Sequence, residues 1–219
     1  MKREIRSYVL RQGRTTPSQQ RALDELLPRF GIPFSGSSLN TKEIFERTAP
    51  LVLEIGSGMG ETTTEIAHTN PQTDFIAIEV HGPGVGSLLK RIDALALKNL
   101  RVIRHDAVEV LENMIADGTL AGLHLFFPDP WPKKRHHKRR LVQPPFVALA
   151  ARKLAPGGYF HAATDWPEYA TQIDDVFSSS SSFAKEQQER KNRPITKFER
   201  RGIGLGHPVR DLLFLRREK

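Results

Sequence analysis

The residues from 51 to 61 constrain the fold more than any other stretch of this 219-residue sequence. An apolar run at 51–55 is followed by helix-forming residues that begin at Glu61. Between the two, three glycines stand at alternate positions: Gly56, Gly58 and Gly60. Glycine lets the backbone turn sharply and lets a ligand approach it, and the start of a helix leaves N–H groups unpaired. The stretch therefore predicts a strand, a tight turn and a helix, as in nucleotide-binding sites.

The spacing of these glycines narrows the class of ligand. A dinucleotide fingerprint has glycines at its first, third and sixth positions, whereas the sixth position here is Glu61, whose carboxylate would repel a pyrophosphate. Glu54, inside the strand, can accept a hydrogen bond from a cationic amine. Glu79 ends the next apolar run, about 20 residues on, where a ribose-binding carboxylate belongs. A ribose and a cation without a pyrophosphate suggest S-adenosylmethionine and disfavour a dehydrogenase.

Strand-like and helix-like segments alternate from residue 51 onward. The predicted strands are 51–55, 74–79, 100–104, 122–127, 158–164, 183–189 and 209–215, and the predicted helices are 61–69, 84–97, 108–116, 144–154 and 168–177. Repeated β–α units predict an α/β fold with a mostly parallel seven-stranded sheet and helices on both faces. Ligands of such sheets bind beyond the carboxyl ends of the strands. Acidic residues follow four of these ends: Glu79, Asp106, Asp129 and Asp165.

The amino-terminal part of the chain is predicted to be separate from this sheet. Residues 1–48 are expected to form a basic arm and a helix, ahead of a main domain at 49–219. Thr16, Pro17 and Gln19 match a capping box with proline in the first turn, and Gly31 is expected to end the helix. The first 15 residues are expected to be a flexible arm, either a disordered tail or a segment that contacts RNA.

The basic residues are concentrated in one octapeptide, residues 133–140, which we call the cationic strip. Without its six lysines and arginines the chain holds 27 such residues against 25 acidic ones, although the whole chain carries a formal charge of +8. Such local basicity points to a polyanion. Immediately before the strip, two prolines hold Asp129 in a rigid turn and Trp131 offers an aromatic face. These features predict a site for a nucleic-acid base, with a capping aspartate and a solvated basic run as the alternative interpretation.

Five blocks of the sequence, in order, resemble the bacterial tRNA (guanine-N7-)-methyltransferase family. They are residues 54–60, 79–86, 126–140, 164–166 and 196–199. The resemblance implies a Rossmann-like class I methyltransferase fold for the main domain. It also implies transfer of a methyl group from S-adenosyl-L-methionine to N7 of a guanosine in the tRNA variable loop.

The resemblance assigns roles to individual residues. It implies cofactor contacts at Glu54, Glu79, Asp106 and Asp129, beside the glycines Gly56, Gly58 and Gly60, and it makes Asp129 the catalytic candidate. The substrate-binding positions that it implies are Lys133, Asp165, Thr196, Lys197, Phe198 and Glu199. The RNA-interacting residues that it implies are Arg135, His136, His137, Lys138, Arg139 and Arg140. Because guanine N7 carries a lone pair and no proton, we expect Asp129 to act by orientation and electrostatics rather than as a base.

Composition excludes several other classes. The chain has no cysteine, so disulfides and thiolate metal sites are excluded, and no metal is expected. It has no apolar span long enough to cross a membrane and begins with polar residues rather than a signal peptide, which predicts a cytoplasmic protein without an obligate protein partner. Two alternatives remain open: a methyltransferase acting on amino groups of adenine, cytosine or a protein amide, and a non-catalytic RNA-binding protein.

Overall fold

A computed structural model describes residues 6–9, 13–187, 193–195, 199 and 208–218. Within these residues, seven strands form one sheet in the order β3-β2-β1-β4-β5-β7-β6. The strands are β1 Leu51–Ile55, β2 Asp74–Ile78, β3 Leu100–Ile103, β4 Leu120–Phe126, β5 Leu154–Thr164, β6 Phe183–Lys185 and β7 Arg210–Arg216. Strands β1 to β5 pair in parallel, and β7 runs antiparallel to β5 and β6. The predicted mostly parallel α/β fold is confirmed.

Helices cover both faces of the sheet. They are α1 Pro17–Glu25, α2 Leu27–Phe30, α3 Thr41–Phe45, α4 Glu61–Thr69, α5 Gly82–Ala94, α6 Ala107–Met114, α7 Pro144–Lys153 and α8 Pro167–Ser178, with a 3₁₀ helix at Lys134–Arg139. Alternate residues of a strand point to opposite faces, so Leu53 of β1 joins an apolar core with α6, α7 and α8. Its neighbour Val52 joins a second core with α1, α4 and α5. Because β1 is buried on both faces, its sequence is an apolar run interrupted only by Glu54.

The order of the strands determines where a ligand can bind. The chain leaves β1 through α4 to β2 on one side, and β4 later pairs with the other side of β1. The connections that follow β1 and β4 therefore diverge and open a crevice at the carboxyl ends of these two strands. The glycine turn after β1 and the turn with Asp129 after β4 both border that crevice.

Several predicted element boundaries differ from the structure. Strand β5 begins at Leu154 rather than at 158, because Gly157, at φ +74°, is accommodated where the β4–β5 register shifts between Leu120 and Gly122. Helix α5 begins at Gly82 rather than at 84, because proline is tolerated in a first turn. The helix predicted to run as far as Gly31 is divided into α1 and α2. Strand β6 ends at 185; of the longer strand predicted there, residues 188 and 189 lie outside the described residues.

The amino-terminal helices pack against the rest of the fold: α1 lies against α5, and α2 lies against β3. The predicted capping box is confirmed: the Thr16 hydroxyl accepts from Gln19 N at 3.2 Å, and the Gln19 side chain accepts from Thr16 N at 2.9 Å. Beyond α2, Ile32 N donates to Val102 O of β3 at 2.8 Å. The division of the chain into an amino-terminal part, 1–48, and a main domain, 49–219, stays a prediction. In the part of the chain described here, no helix has both the length and the apolar character needed to cross a membrane.

Candidate active site

The glycine turn has a backbone that only glycine adopts readily. Gly56, Gly58 and Gly60 all have positive φ, at +73°, +56° and +77°. Gly60 precedes the first residue of α4, and a Cβ at this position would come within 2.5 Å of the Leu88 side chain. Larger residues would therefore distort both the turn and its packing against α5.

The Glu79 carboxylate is fixed at the end of β2. It accepts backbone N–H groups from Gly58 and Val80 at 2.8 Å and from His81 at 2.9 Å. The side chain is buried, yet a carboxylate has about four acceptor sites, so further hydrogen bonds remain possible. Such a rigid acceptor suits the hydroxyl groups of a ribose.

Glu54 is a buried carboxylate that the described part of the chain leaves without a lysine or arginine partner. Burial raises its pKa to about 7; the nearby Thr63 side chain opposes this rise and the charge of Glu79 adds to it. A buried carboxylate is costly unless a cation or hydrogen-bond donors compensate it. The site therefore fits a ligand that carries a positive charge, which an adenosylmethionine ammonium group does.

Two adjoining cavities collect the predicted acidic residues at the carboxyl edge of the sheet. The first, of about 220 Å³, is lined by Glu79, Asp106 and Asp129. The second, of about 840 Å³, is lined by Glu54, Asp165 and Glu199, together with the glycine turn. Both are bordered by Gly56, Phe126 and Phe127. Apolar walls with a few convergent polar groups are typical of small-molecule sites, and the acceptor set fits a ribose and a cation.

The amino-terminal arm contributes to the first cavity, which the sequence did not indicate. Ser7 and Tyr8 line it, and Asp106, which caps α6 by accepting from Val108 N at 2.8 Å, interacts with the Tyr8 hydroxyl. Burial and then the charge of Asp106 raise the pKa of Tyr8. Arg6 also donates to the Tyr8 hydroxyl at 2.9 Å. Isolated residues in a polar arm carry no periodic signal that could have placed them here.

The turn that holds Asp129 is strained and braced. Phe127 and Trp131, on either side of Asp129, have left-handed backbones with φ of 50° and 47°. Such backbones persist where the surrounding structure holds them. Phe127 N donates to Ala163 O of β5 at 2.7 Å, and Arg140 Nε donates to Pro130 O at 2.7 Å. The Asp129 side chain itself is exposed at the rim of the first cavity.

Trp131, which the sequence predicted to offer a stacking face, is half-buried and already makes contacts within the protein. The Arg139 guanidinium lies 4.2 Å from the centre of its ring, and His136 packs edge-on at 5.9 Å. The indole Nε1 donates to Ser7 O at 3.1 Å. Trp131 therefore joins the cationic strip to the amino-terminal arm.

The residues of the cationic strip differ in exposure. Lys133, which precedes the 3₁₀ helix, is exposed, as are Arg135 and Lys138, whereas His136, His137 and Arg139 are half-buried. Partial desolvation, then the charges of Arg135 and Lys133, lower the pKa of His136.

Arg140 departs from the other residues of the strip because its side chain is buried. Besides Pro130 O, it donates to Gln172 Oε1 at 2.7 Å and lies 5.0 Å from the centre of the Tyr169 ring. These contacts are internal, so the expectation that Arg140 contacts RNA does not fit its position. Composition alone could not distinguish it from its exposed neighbours.

The predicted substrate-binding residues are only partly described. Asp165, at the end of β5, is exposed and lines the second cavity. The buried Glu199 lines the same cavity. Both Glu199 oxygens accept from Arg193. Thr196, Lys197 and Phe198 lie outside the described residues.

Comparisons with known proteins indicate the family of the chain. A family model described as "Putative methyltransferase" matches residues 48–212. The tRNA (guanine-N(7)-)-methyltransferase of Chromobacterium violaceum is 56% identical, covering 99% of this chain and 97% of the relative. That of Nitrosomonas europaea is 56% identical, covering 97% and 96%.

Solved structures share the fold at low sequence identity. The 16S rRNA methyltransferase KamB superposes with a TM-score of 0.59 at 14% identity, over 83% of this chain and 95% of that chain. The aminoglycoside-resistance methyltransferase NpmB1 gives 0.57 at 15% identity, over 80% and 91%. The fold, the family model and the relatives agree, and the chain belongs to the tRNA (guanine-N(7)-)-methyltransferase family.

Proposed function

We propose that this protein transfers a methyl group from S-adenosylmethionine to N7 of a guanosine in the variable loop of tRNA. The observation that carries the proposal is the gathering of carboxylates around two adjoining cavities, next to an exposed cationic strip. The names of the relatives support the guanine and the tRNA. We further propose that it acts in the cytoplasm, without a metal ion or an obligate protein partner.

The two cavities suggest a division of the cofactor. Glu79 and Asp106 line the first cavity and would hold the ribose and the adenine. Glu54 lines the second and would pair with the ammonium group of the methionine end. Bound adenosylmethionine supplies an electrophilic methyl group on a sulfonium. The shared wall of Phe126 and Phe127 would exclude water where the two cavities meet.

The residues around the guanine act without removing a proton. N7 has a lone pair, so the protein has to hold the base in line and tolerate the positive charge that forms on its imidazole ring. Asp129, Asp165 and Glu199 are acceptors for the N1–H and N2 amino groups on the opposite edge of guanine. Their negative potential also favours the cationic product.

Methyl transfer to unmodified tRNA transcripts tests the proposed function directly. Incubation with radiolabelled adenosylmethionine should label a transcript that carries the variable-loop guanosine. Borohydride reduction followed by aniline should cleave the chain at that nucleotide, because only an N7-methylated guanosine is opened by this treatment. A matched transcript with adenosine at that position should remain unlabelled. Label on an amino group, or tRNA binding without any label, would support the alternative classes.

Two neighbouring strip residues are expected to differ in their salt dependence. Replacing exposed Lys138 with glutamine should weaken tRNA binding and reduce the slope of log K against log salt by about 0.7 to 0.9, as for one lost phosphate contact. Replacing buried Arg140 with glutamine should leave the slope unchanged but lower kcat about tenfold, because Pro130 O loses its brace. Fluorescence polarisation from about 50 to about 200 mM salt measures both slopes. An equal fall of the slope in Arg140→Gln would mean that Arg140 reaches RNA.

A further inference from the structure

Arg193, which follows β6 in the chain, makes two bidentate ion pairs in the interior. Its side chain is completely buried. The guanidinium donates to both oxygens of Glu199, at 2.8 and 3.1 Å. It also donates to both oxygens of Asp211, each at 2.7 Å. The planar guanidinium fork matches two carboxylates at once, which the point charge of a lysine cannot do.

Asp211 connects Arg193 to the sheet. It lies on β7 opposite Ala163 of β5, and it is 2.9 Å from His161 Nε2 of the same neighbouring strand. Burial raises the pKa of Asp211, but the hydrogen bonds from Arg193 and His161 outweigh burial and lower the pKa to about 2. Asp211 is therefore a fixed anion at neutral pH, held by regular backbone pairing.

Glu199, the other carboxylate bound by Arg193, lies at the candidate site. Glu199 lines the second cavity. The Arg193 guanidinium lies behind the same wall, 5.7 Å from the ring centre of Phe126 and 5.4 Å from that of Phe127, the two rings shared by both cavities. Arg193 thus connects a strand of the sheet to an acceptor at the site and packs against the apolar wall between them.

We propose that Arg193 is a positioning residue for methyl transfer: it ties Glu199 to Asp211 and so fixes the Glu199 carboxylate in the wall of the second cavity, beside the guanine. This inference rests on the proposed function, because it needs a guanine in the second cavity. Without the Arg193 guanidinium, the buried carboxylate of Glu199 would turn towards water or take up a proton. The cavity would then lose this acceptor. With both carboxylates ionised, the three groups carry one net negative charge, which favours the cationic product.

Kinetics of Arg193→Ala separate positioning from mere stability. The variant should lower kcat/KM for tRNA about tenfold, while the Kd for adenosylmethionine, measured by calorimetry, changes less than about twofold. Adding Glu199→Gln should cause little further loss, because the two residues act as a unit. Arg216→Ala is the matched control: this arginine of β7 donates to Ala151 O rather than to the site, so its kcat/KM should equal the wild-type value.

Chemical rescue gives a signal that a purely structural role would not produce. Free guanidinium at millimolar concentration should restore part of the activity of Arg193→Ala, whereas urea, which has the same shape without the charge, should not. Arg193→Lys should have less activity than Arg193→Ala has in the presence of guanidinium. Wild-type kcat/KM in Arg193→Ala would overturn the inference, and so would a loss that follows the melting temperature and is not rescued. If instead the wild-type protein fails to methylate N7, the proposed function itself is at fault.

Discussion

Replacement of Asp129 with asparagine is expected to lower kcat for tRNA methylation by about 10²- to 10³-fold, the usual effect of removing one preorganised electrostatic group. The amide has the shape of the carboxylate, so the strained turn between Phe127 and Trp131 should persist. What is lost is the negative charge at the rim of the first cavity, which adjoins the second cavity, where the base is proposed to bind and to gain positive charge. The effect should therefore appear in the chemical step rather than in folding.

Single-turnover methyl transfer with saturating protein and adenosylmethionine measures that step. The melting temperature of Asp129→Asn should stay close to the wild-type value, and the variant should bind tRNA about as well. Asp175→Asn serves as the matched control, since Asp175 is an exposed carboxylate on α8 that lines neither cavity. A rate near that of the wild-type protein would show that Asp129 does not act on the transition state.

The sequence predicted the fold and much of the site for one physical reason. Parallel strands bring their carboxyl ends to a single edge, so residues that follow strands meet there although they are far apart in the chain. Glu79, Asp106 and Asp129 line one cavity on that account, and Asp165 lines the next. The buried β1 and the glycine turn could be predicted because a short, mostly apolar run that ends in alternate glycines is typical of a parallel strand leading into a tight turn.

Contacts between side chains from unrelated segments could not be predicted in this way. Arg193, Glu199 and Asp211 form one buried cluster, yet nothing in their spacing or composition links them. Tyr8 lies in an arm that reads as polar and flexible, and only the folded chain brings it to Asp106. Arg140 is of the same residue type as the exposed Arg135. Only its burial shows that it supports the Asp129 turn instead of lying on the surface. Periodicity reports which face an element buries, but it does not report pairing across the fold.

Glu54 is expected to make adenosylmethionine binding depend on pH. Its pKa is raised to about 7 by burial, and only the ionised carboxylate can pair with an ammonium group. Affinity should therefore rise as the pH increases from about 5.5 to about 7.5, approaching tenfold per pH unit on the acid side. Glu54→Gln should bind about ten- to a hundredfold more weakly at the upper pH, as for a lost charge-assisted hydrogen bond, and should lose this pH dependence.

Calorimetry in two buffers with different ionisation enthalpies tests the same carboxylate independently. At about pH 6, binding to the wild-type protein should release close to one proton, whereas Glu54→Gln should release none from this site. In the cofactor-free protein, the same carboxylate makes folding stability depend on pH in the opposite direction. Because the folded state holds the Glu54 proton more tightly than the unfolded state, stability from this group should fall as the pH rises from about 4.5 towards 7. An equal pH dependence in the wild-type protein and Glu54→Gln would assign the titration to another group.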